Sequence, residues 1–245
     1  MTLDIAAVKA VVFDYGNTLV PFGRSQWRAY GHSLAGALER IYGPVDLDRF
    51  FALRALSRDT PFAGDPPTYR ENDLAAITRR LVRELYGREA VADELTALLR
   101  AREEAFVENV VLPDGVTGVL ERLRARFPLG LLSNYPDGGA IRRSLRAVGI
   151  ADHFSGVVVS ADLGYVKPHP ILFAAVLEQF GVASREVLYV GDNWLADVQG
   201  AKRVGMQVAQ AVYWGAAEHF PRQDGDAEPD AVLERLEDLV ELLEC

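Results

Sequence analysis

The spacing of apolar positions along the chain predicts two kinds of element in alternation. Short unbroken apolar runs bounded by turn residues, at residues 8–13, 129–133, 156–159, 187–190 and 208–212, predict strands buried on both faces of a parallel sheet. Helical patterns stand between several of them. In DGVTGVLERLRARF, Val116, Val119, Leu120, Leu123 and Phe127 fall on one helical face, and Asp114 is placed to cap its start. HPILFAAVLEQFG has Pro170 near the first helical position and Gly181 just past the last, the expected asymmetry of a helix. This order predicts an α/β fold, a doubly wound, Rossmann-like parallel sheet.

The alternation stops between the first two strands. SQWRAYGHSLAGALERIYG, DLDRFFALRALSR, TYRENDLAAITRRLVRELYG and VADELTALLRAREEAF all fit a period of 3.6 better than a period of 2. Four helices inserted after the first strand predict an α-helical cap domain over residues 20–105, on a core made of residues 1–19 and 106–245. The Pro-rich stretch TPFAGDPPTY, residues 60–69, divides the cap in the middle.

Composition narrows the class. The chain has 245 residues, 49% of them apolar and 25% charged, enough for a large soluble core. No apolar run approaches the ~20 residues of a membrane span, and MTLDIAAVKA has no long apolar stretch with a cleavage site, so a cytoplasmic location is expected. Cys245 is the single cysteine, which leaves neither a disulfide framework nor a thiolate metal site. A net charge of −9 argues against a nucleic-acid partner. Much of the excess lies in residues 218–244, with 10 acids against Arg222 and Arg235, and reads as a solvated acidic helix. Nothing in the sequence sets the oligomeric state.

Four segments would meet at the carboxyl edge of the sheet, where a parallel sheet collects its binding groups. They are FDYGNT with Asp14 and Thr18, LLSN with Ser133 and Asn134, GYVKPHP with Lys167, and YVGDNWLADVQGAKRVG with Asp192 and Asp197. Each alone has a structural reading: a strand-end cap, a turn former, a solvated charge, a pair of helix caps. Together, a carboxylate nucleophile, a hydroxyl, an ammonium and two further carboxylates suit phosphoryl transfer. Oxygen ligands of this kind suit a hard dication such as Mg²⁺.

In order and spacing these segments resemble the four motifs of the haloacid dehalogenase superfamily, a group of mostly phosphohydrolases. The resemblance covers residues 5–18 and about 110–212 and includes a helical cap inserted after the first motif. It implies that Asp14 forms an aspartyl-phosphate and that Ser133 and Lys167 bind the phosphoryl group, with Thr18 and Asn134 beside it. By the same resemblance Asp14, Asp192, Asp197 and the backbone carbonyl of Gly16 serve Mg²⁺, and the substrate is a small phosphorylated metabolite.

Gly16 departs from the pattern, because most phosphatases of the family carry there the aspartate that protonates the leaving group. What is lost is acid–base help, usually worth ~10²–10⁴ in rate. Two branches also lack it. The phosphonate branch needs a cap lysine, and Lys9, Lys167 and Lys202 are the only lysines, none in the cap. The haloacid dehalogenase branch attacks carbon without a metal and has serine where this chain has Asp192; Asn193 and Trp194 keep some likeness to it. A Mg²⁺-dependent phosphatase is therefore the leading expectation, with a carbon-centred hydrolase and a non-catalytic binding protein as alternatives. For an anionic substrate the cap offers Arg24, Arg28, Arg58 and Arg70, although most of its 13 arginines must face solvent. His32, Asp65 and Tyr69 are candidates for the missing proton transfer.

Overall fold

The computed structural model describes residues 3–56, 60–214 and 222–244; Arg58 and Cys245 lie outside them. Six strands form one parallel sheet: β1 (Ala10–Phe13), β2 (Leu129–Ser133), β3 (Gly156–Val159), β4 (Val187–Gly191), β5 (Gln207–Ala211) and β6 (Ala231–Leu233). Their order is β3-β2-β1-β4-β5-β6. The chain winds outward one way from β1 and the other way from β4, so the crevice above β1 and β4 is where such a sheet binds ligands.

Four helices intervene between β1 and β2: α1 (Arg24–Tyr42), α2 (Leu47–Ala55), α3 (Leu74–Tyr86) and α4 (Ala92–Glu108). Asp46 and Asp73 start α2 and α3 by accepting the amides of Arg49 and Ala76 at 3.0 and 2.9 Å. These helices bury a cluster of their own, with Leu34, Leu38, Phe50, Val82 and Leu98 at its centre. The expected cap boundary at residue 105 falls inside α4, whose Ala105 and Phe106 join the core under the sheet.

The remaining helices are α5 (Val116–Arg124), α6 (Gly138–Ala147), α7 (Ser160–Leu163), α8 (Pro170–Phe180), α9 (Gly200–Arg203) and α10 (Asp238–Leu242). Alternation along β1 sends Val11 and Phe13 to one face, where α5, α6 and α10 pack, and Ala10 and Val12 to the other, where α8 and α9 pack. Among the described residues no helix is long and apolar enough to cross a membrane.

Three expectations change. Asp114 does not cap α5: the N-cap is Gly115, at φ 89°, without a side-chain bond. Asp192 and Asp197 do not cap the helical turn after β4, because Asn193 accepts the amide of Ala196 instead. Nor is the acidic tail a solvated helix, among its described residues. It supplies β6 and α10, and Leu233, Leu236, Leu239, Val240 and Leu243 are buried. Most of its described acids sit on outer positions, Asp230 being buried against Lys202, and their number hides an inner apolar face.

Candidate active site

All four predicted segments meet at one cavity of about 590 Å³ over the carboxyl edge of the sheet, lined by Asp14, Gly16, Ser133, Lys167 and Asp192 and by Arg24 from the start of α1. Asp14 follows β1 directly, its amide donating to the Val190 carbonyl of β4 at 2.8 Å. After it the chain folds back tightly, with the amides of Leu19 and Val20 both reaching the Tyr15 carbonyl. The residue in the left-handed region of that turn is Asn17, at φ 57°, a conformation asparagine tolerates. Gly16 takes no such conformation, and a Cβ there would meet only Phe22 Cβ, at 3.6 Å. The backbone therefore does not demand glycine at this position.

Lys167 sits at the centre of the site and is itself buried. Its ammonium donates to Asp14 Oδ1 at 2.6 Å, Asp197 Oδ1 at 2.7 Å, the Leu132 carbonyl at 2.9 Å and the Tyr189 hydroxyl at 2.9 Å. Three protons thus serve four acceptors, so Lys167 can hold a phosphoryl oxygen only by loosening one of them. Asp197 is equally committed: Oδ1 also accepts from Tyr189 at 3.0 Å and Oδ2 from the Asn193 amide at 2.9 Å.

Asp14, Asp192 and Asp197 each bring a carboxylate oxygen within 4.8 Å of the others. Three carboxylates face one ammonium, an excess that a dication would balance. The crowding also appears in their acidity. Burial, and then the charge of Asp197, pushes Asp14 up to about 6, although Lys167 pulls the other way. Asp192 is pushed well above the usual carboxylate range by burial and by its two neighbours. Burial alone would lower the pKa of Lys167, but the paired carboxylates outweigh it and hold the ammonium protonated above the usual lysine range. Hard oxygen donors, held at strand ends and short of positive charge, fit Mg²⁺.

The structure separates the other candidates. Ser133, at the end of β2, lines the cavity. Asn134 reaches it too, but its side chain is spent on the backbone of Lys167, accepting the amide at 2.7 Å and donating to the carbonyl at 3.1 Å. It positions the lysine. Thr18 has no exposed surface and is absent from the cavity wall, so the expected substrate contact lacks a surface to make it with. Arg28 does not line this cavity, and Arg70 lies over the Tyr165 ring at 4.2 Å. None of His32, Asp65 and Tyr69 lines this cavity; His32 packs on Phe51 and Tyr69 on Phe62. Tyr189 was not anticipated. A tyrosine inside an aliphatic buried strand needs a partner for its hydroxyl, and that was the signal available.

The sequence pattern of the haloacid dehalogenase-like hydrolases fits residues 8–205. The chain belongs to that family. Among its relatives, a phosphoserine phosphatase from Thermus thermophilus is 37% identical over 219 residues, covering 79% of this chain and 85% of the relative. A glyceraldehyde 3-phosphate phosphatase from Methanopyrus kandleri is 26% identical over 238 residues, covering 96% and 97%. A solved 2-haloacid dehalogenase from Pseudomonas syringae superposes with a TM-score of 0.73 at 26% identity, covering 97% of this chain and 98% of that one. This haloacid dehalogenase-like hydrolase therefore resembles both proteins named as phosphatases and a protein named as a dehalogenase.

Proposed function

We propose that this hydrolase is a Mg²⁺-dependent phosphatase that acts on a small phosphorylated metabolite through an aspartyl-phosphate on Asp14. The observation that carries the reading is the carboxylate Asp192 beside Asp14 and Asp197. Without a cation, an added charge there would only repel the nucleophile and be costly to bury. Two relatives named as phosphatases support it.

Asp14, Asp192 and the Gly16 carbonyl would hold Mg²⁺, with Asp197 fixed by Lys167, Tyr189 and the Asn193 amide acting behind them. When bound, Mg²⁺ supplies charge neutralisation between the carboxylates and the phosphoryl oxygens. Ionised Asp14 attacks phosphorus in line; its bond to phosphorus forms as the bond to the leaving oxygen breaks. Lys167 and Ser133 balance charge on the phosphoryl oxygens. Gly16 has no proton to give, so the leaving oxygen takes its proton from water or from the substrate. Water then attacks phosphorus, the Asp14–phosphorus bond breaks and phosphate leaves. The cap, residues 20–105, closes over this site and excludes bulk water.

The test is phosphate release from an aryl phosphate with and without Mg²⁺. Mg²⁺-dependent release is expected. Halide release from a 2-haloacid without metal, and no phosphate release, would replace this reading with the carbon-centred one; neither release would leave a binding protein.

A further inference from the structure

Beside the catalytic cavity lies a second one of about 210 Å³, between the cap and the core. The two share Phe22, Trp27, Phe62, Asn134 and Tyr135 in their walls, so they lie side by side. That cavity is largely aromatic and aliphatic, but Arg54 from α2 and Arg102 from α4 both line it.

Among the described residues neither guanidinium is fully satisfied. Arg102 is 92% buried by its 8% exposure, yet its Nε and Nη1 have no hydrogen-bond partner among the described residues. Arg54 Nη2 is in the same position, and among the described residues its Nη1 reaches the Trp27 carbonyl, at a long 3.5 Å. The Arg54 head instead stacks over the rings of Trp27 and Tyr30, 4.6 Å from each centre. Space for it is left by Gly31 in the middle of α1, where a Cβ would come within 2.4 Å of Arg54 Nη1. Glycine inside a helix costs ~0.5–1 kcal/mol relative to alanine, so this room is bought at the expense of the helix. Two acids also line the cavity and are engaged elsewhere: Glu71 accepts from the Ser160 hydroxyl, and Glu84 faces Arg49 at 3.9 Å. Buried arginines are normally paired, and a planar guanidinium matches a carboxylate in particular. The missing partner is an anion.

We propose that Arg54 and Arg102 form a subsite for a carboxylate carried by the substrate, so that the enzyme prefers phosphate esters of small hydroxy acids to those of uncharged alcohols. The assignment of the ester rests on the phosphatase reading; the carboxylate subsite does not. A 2-haloacid would present the same carboxylate, and the experiment separates the two.

Three measurements on the full chain, wild type and Arg102→Met, decide the matter. The first compares kcat/KM for 2-phosphoglycolate with that for 2-hydroxyethyl phosphate, close in shape but without the carboxylate. Wild type should favour the first at least ~10-fold, and Arg102→Met should lose ~10- to 100-fold on it while changing less than ~3-fold on the second, the loss expected for charge-assisted hydrogen bonds. The second is Tm, which Arg102→Met should leave unchanged or raise, because the variant removes an unsatisfied buried charge. The third is the rise in Tm with propionate, expected in wild type and abolished in the variant whatever the reaction proves to be. If Arg102→Met does not fold, Arg54→Met, at a less buried position, serves in its place. Carboxylate-dependent halide release from 2-chloropropionate, without phosphate release, would sink the phosphatase reading and keep the subsite. Equal handling of the two esters with no effect of propionate would overturn the subsite, whether or not aryl phosphate is hydrolysed.

Discussion

Substituting Gly16→Asp tests whether the loop after β1 is short of an acid. The backbone at Gly16 is one any residue can adopt, and the new Cβ would rest against Phe22 Cβ at 3.6 Å, an ordinary contact. The side chain would enter the cavity that holds Asp14, whose own pKa burial and Asp197 already push up to about 6. A carboxyl group two residues away feels the same burial and the like charge of Asp14, so its pKa should rise as well, which keeps it protonated and able to donate. General acid help is worth ~10²–10⁴ in rate, or about 3–5 kcal/mol of barrier. That gain should appear with alkyl phosphates, whose leaving oxygen needs a proton, and nearly vanish with aryl phosphates. Folding should suffer by about 1–3 kcal/mol, because another carboxyl group is taken out of water. The assay is kcat/KM with Mg²⁺ for a series of esters of rising leaving-group pKa. Wild type should show a steep fall along the series and Gly16→Asp a shallower one. A wild-type enzyme that already turns over alkyl esters as fast as aryl ones, with no gain in the variant, would refute the reasoning and place the proton donor elsewhere.

Other expectations can be checked together. Lys167→Met leaves Asp14 and Asp197 without their cation and should destabilise the metal-free protein by about 3–5 kcal/mol, a drop in Tm on the order of 10 °C by thermal unfolding. Added Mg²⁺ should recover part of that loss; no recovery would argue against a cation site at these carboxylates. Asp192→Asn should weaken Mg²⁺ binding by calorimetry while preserving the far-ultraviolet circular dichroism, and unchanged affinity would remove Asp192 from the ligand set. Because Asp14 is raised from 3.8 to about 6, the folded state holds a proton there that the unfolded chain has released. Its contribution to metal-free stability is therefore fully present below about 3.8 and lost as pH rises through about 6. The rise in Tm caused by Mg²⁺ should run the other way, large above pH 6 and shrinking below it, since a proton and the metal compete for the same oxygen.

The sheet was readable because β1, β2 and β4 are short, mostly apolar runs bounded by turn residues, with every residue buried, the pattern of a strand covered on both faces. Asp14, Ser133, Lys167 and Asp192 were readable because each stands at or just past the end of a predicted strand or its loop. What stayed hidden depended on burial rather than on spacing. The edge strand β6 has only the three residues Ala231–Leu233, with Val232 exposed, too short to show a period among so many acids. Tyr189 looked like one more core position in β4 until the structure turned its hydroxyl toward Lys167. In the cap, thirteen arginines share one composition, and sequence favoured Arg24, Arg28, Arg58 and Arg70 on charge alone. Packing distinguishes Arg54 and Arg102, by leaving Arg54 Nη2 and Arg102 Nε and Nη1 buried without a hydrogen-bond partner among the described residues.

The cap and the lysine are also joined in a way that its two covalent connections do not reveal. In the loop before α3, the Tyr69 carbonyl accepts the Val166 amide at 2.8 Å and the Glu71 amide donates to the Gly164 carbonyl at 3.0 Å, while the Glu71 carboxylate accepts from Ser160. Val166 is the residue before Lys167, and the Ser160 hydroxyl in turn accepts the Tyr135 amide beside Asn134. Any opening of the cap must break these bonds or drag the Lys167 loop with it. At about 1 kcal/mol net for each of the three, they favour the closed arrangement by about 3 kcal/mol, near a hundredfold. A substrate that bridges Asp14 and the Arg54–Arg102 pair would add to the same side of that balance, since one of its ends would rest on the core and the other on the cap. Closure and the setting of Lys167 are then tied to one set of contacts, the bonds that join residues 69–71 to residues 160–166.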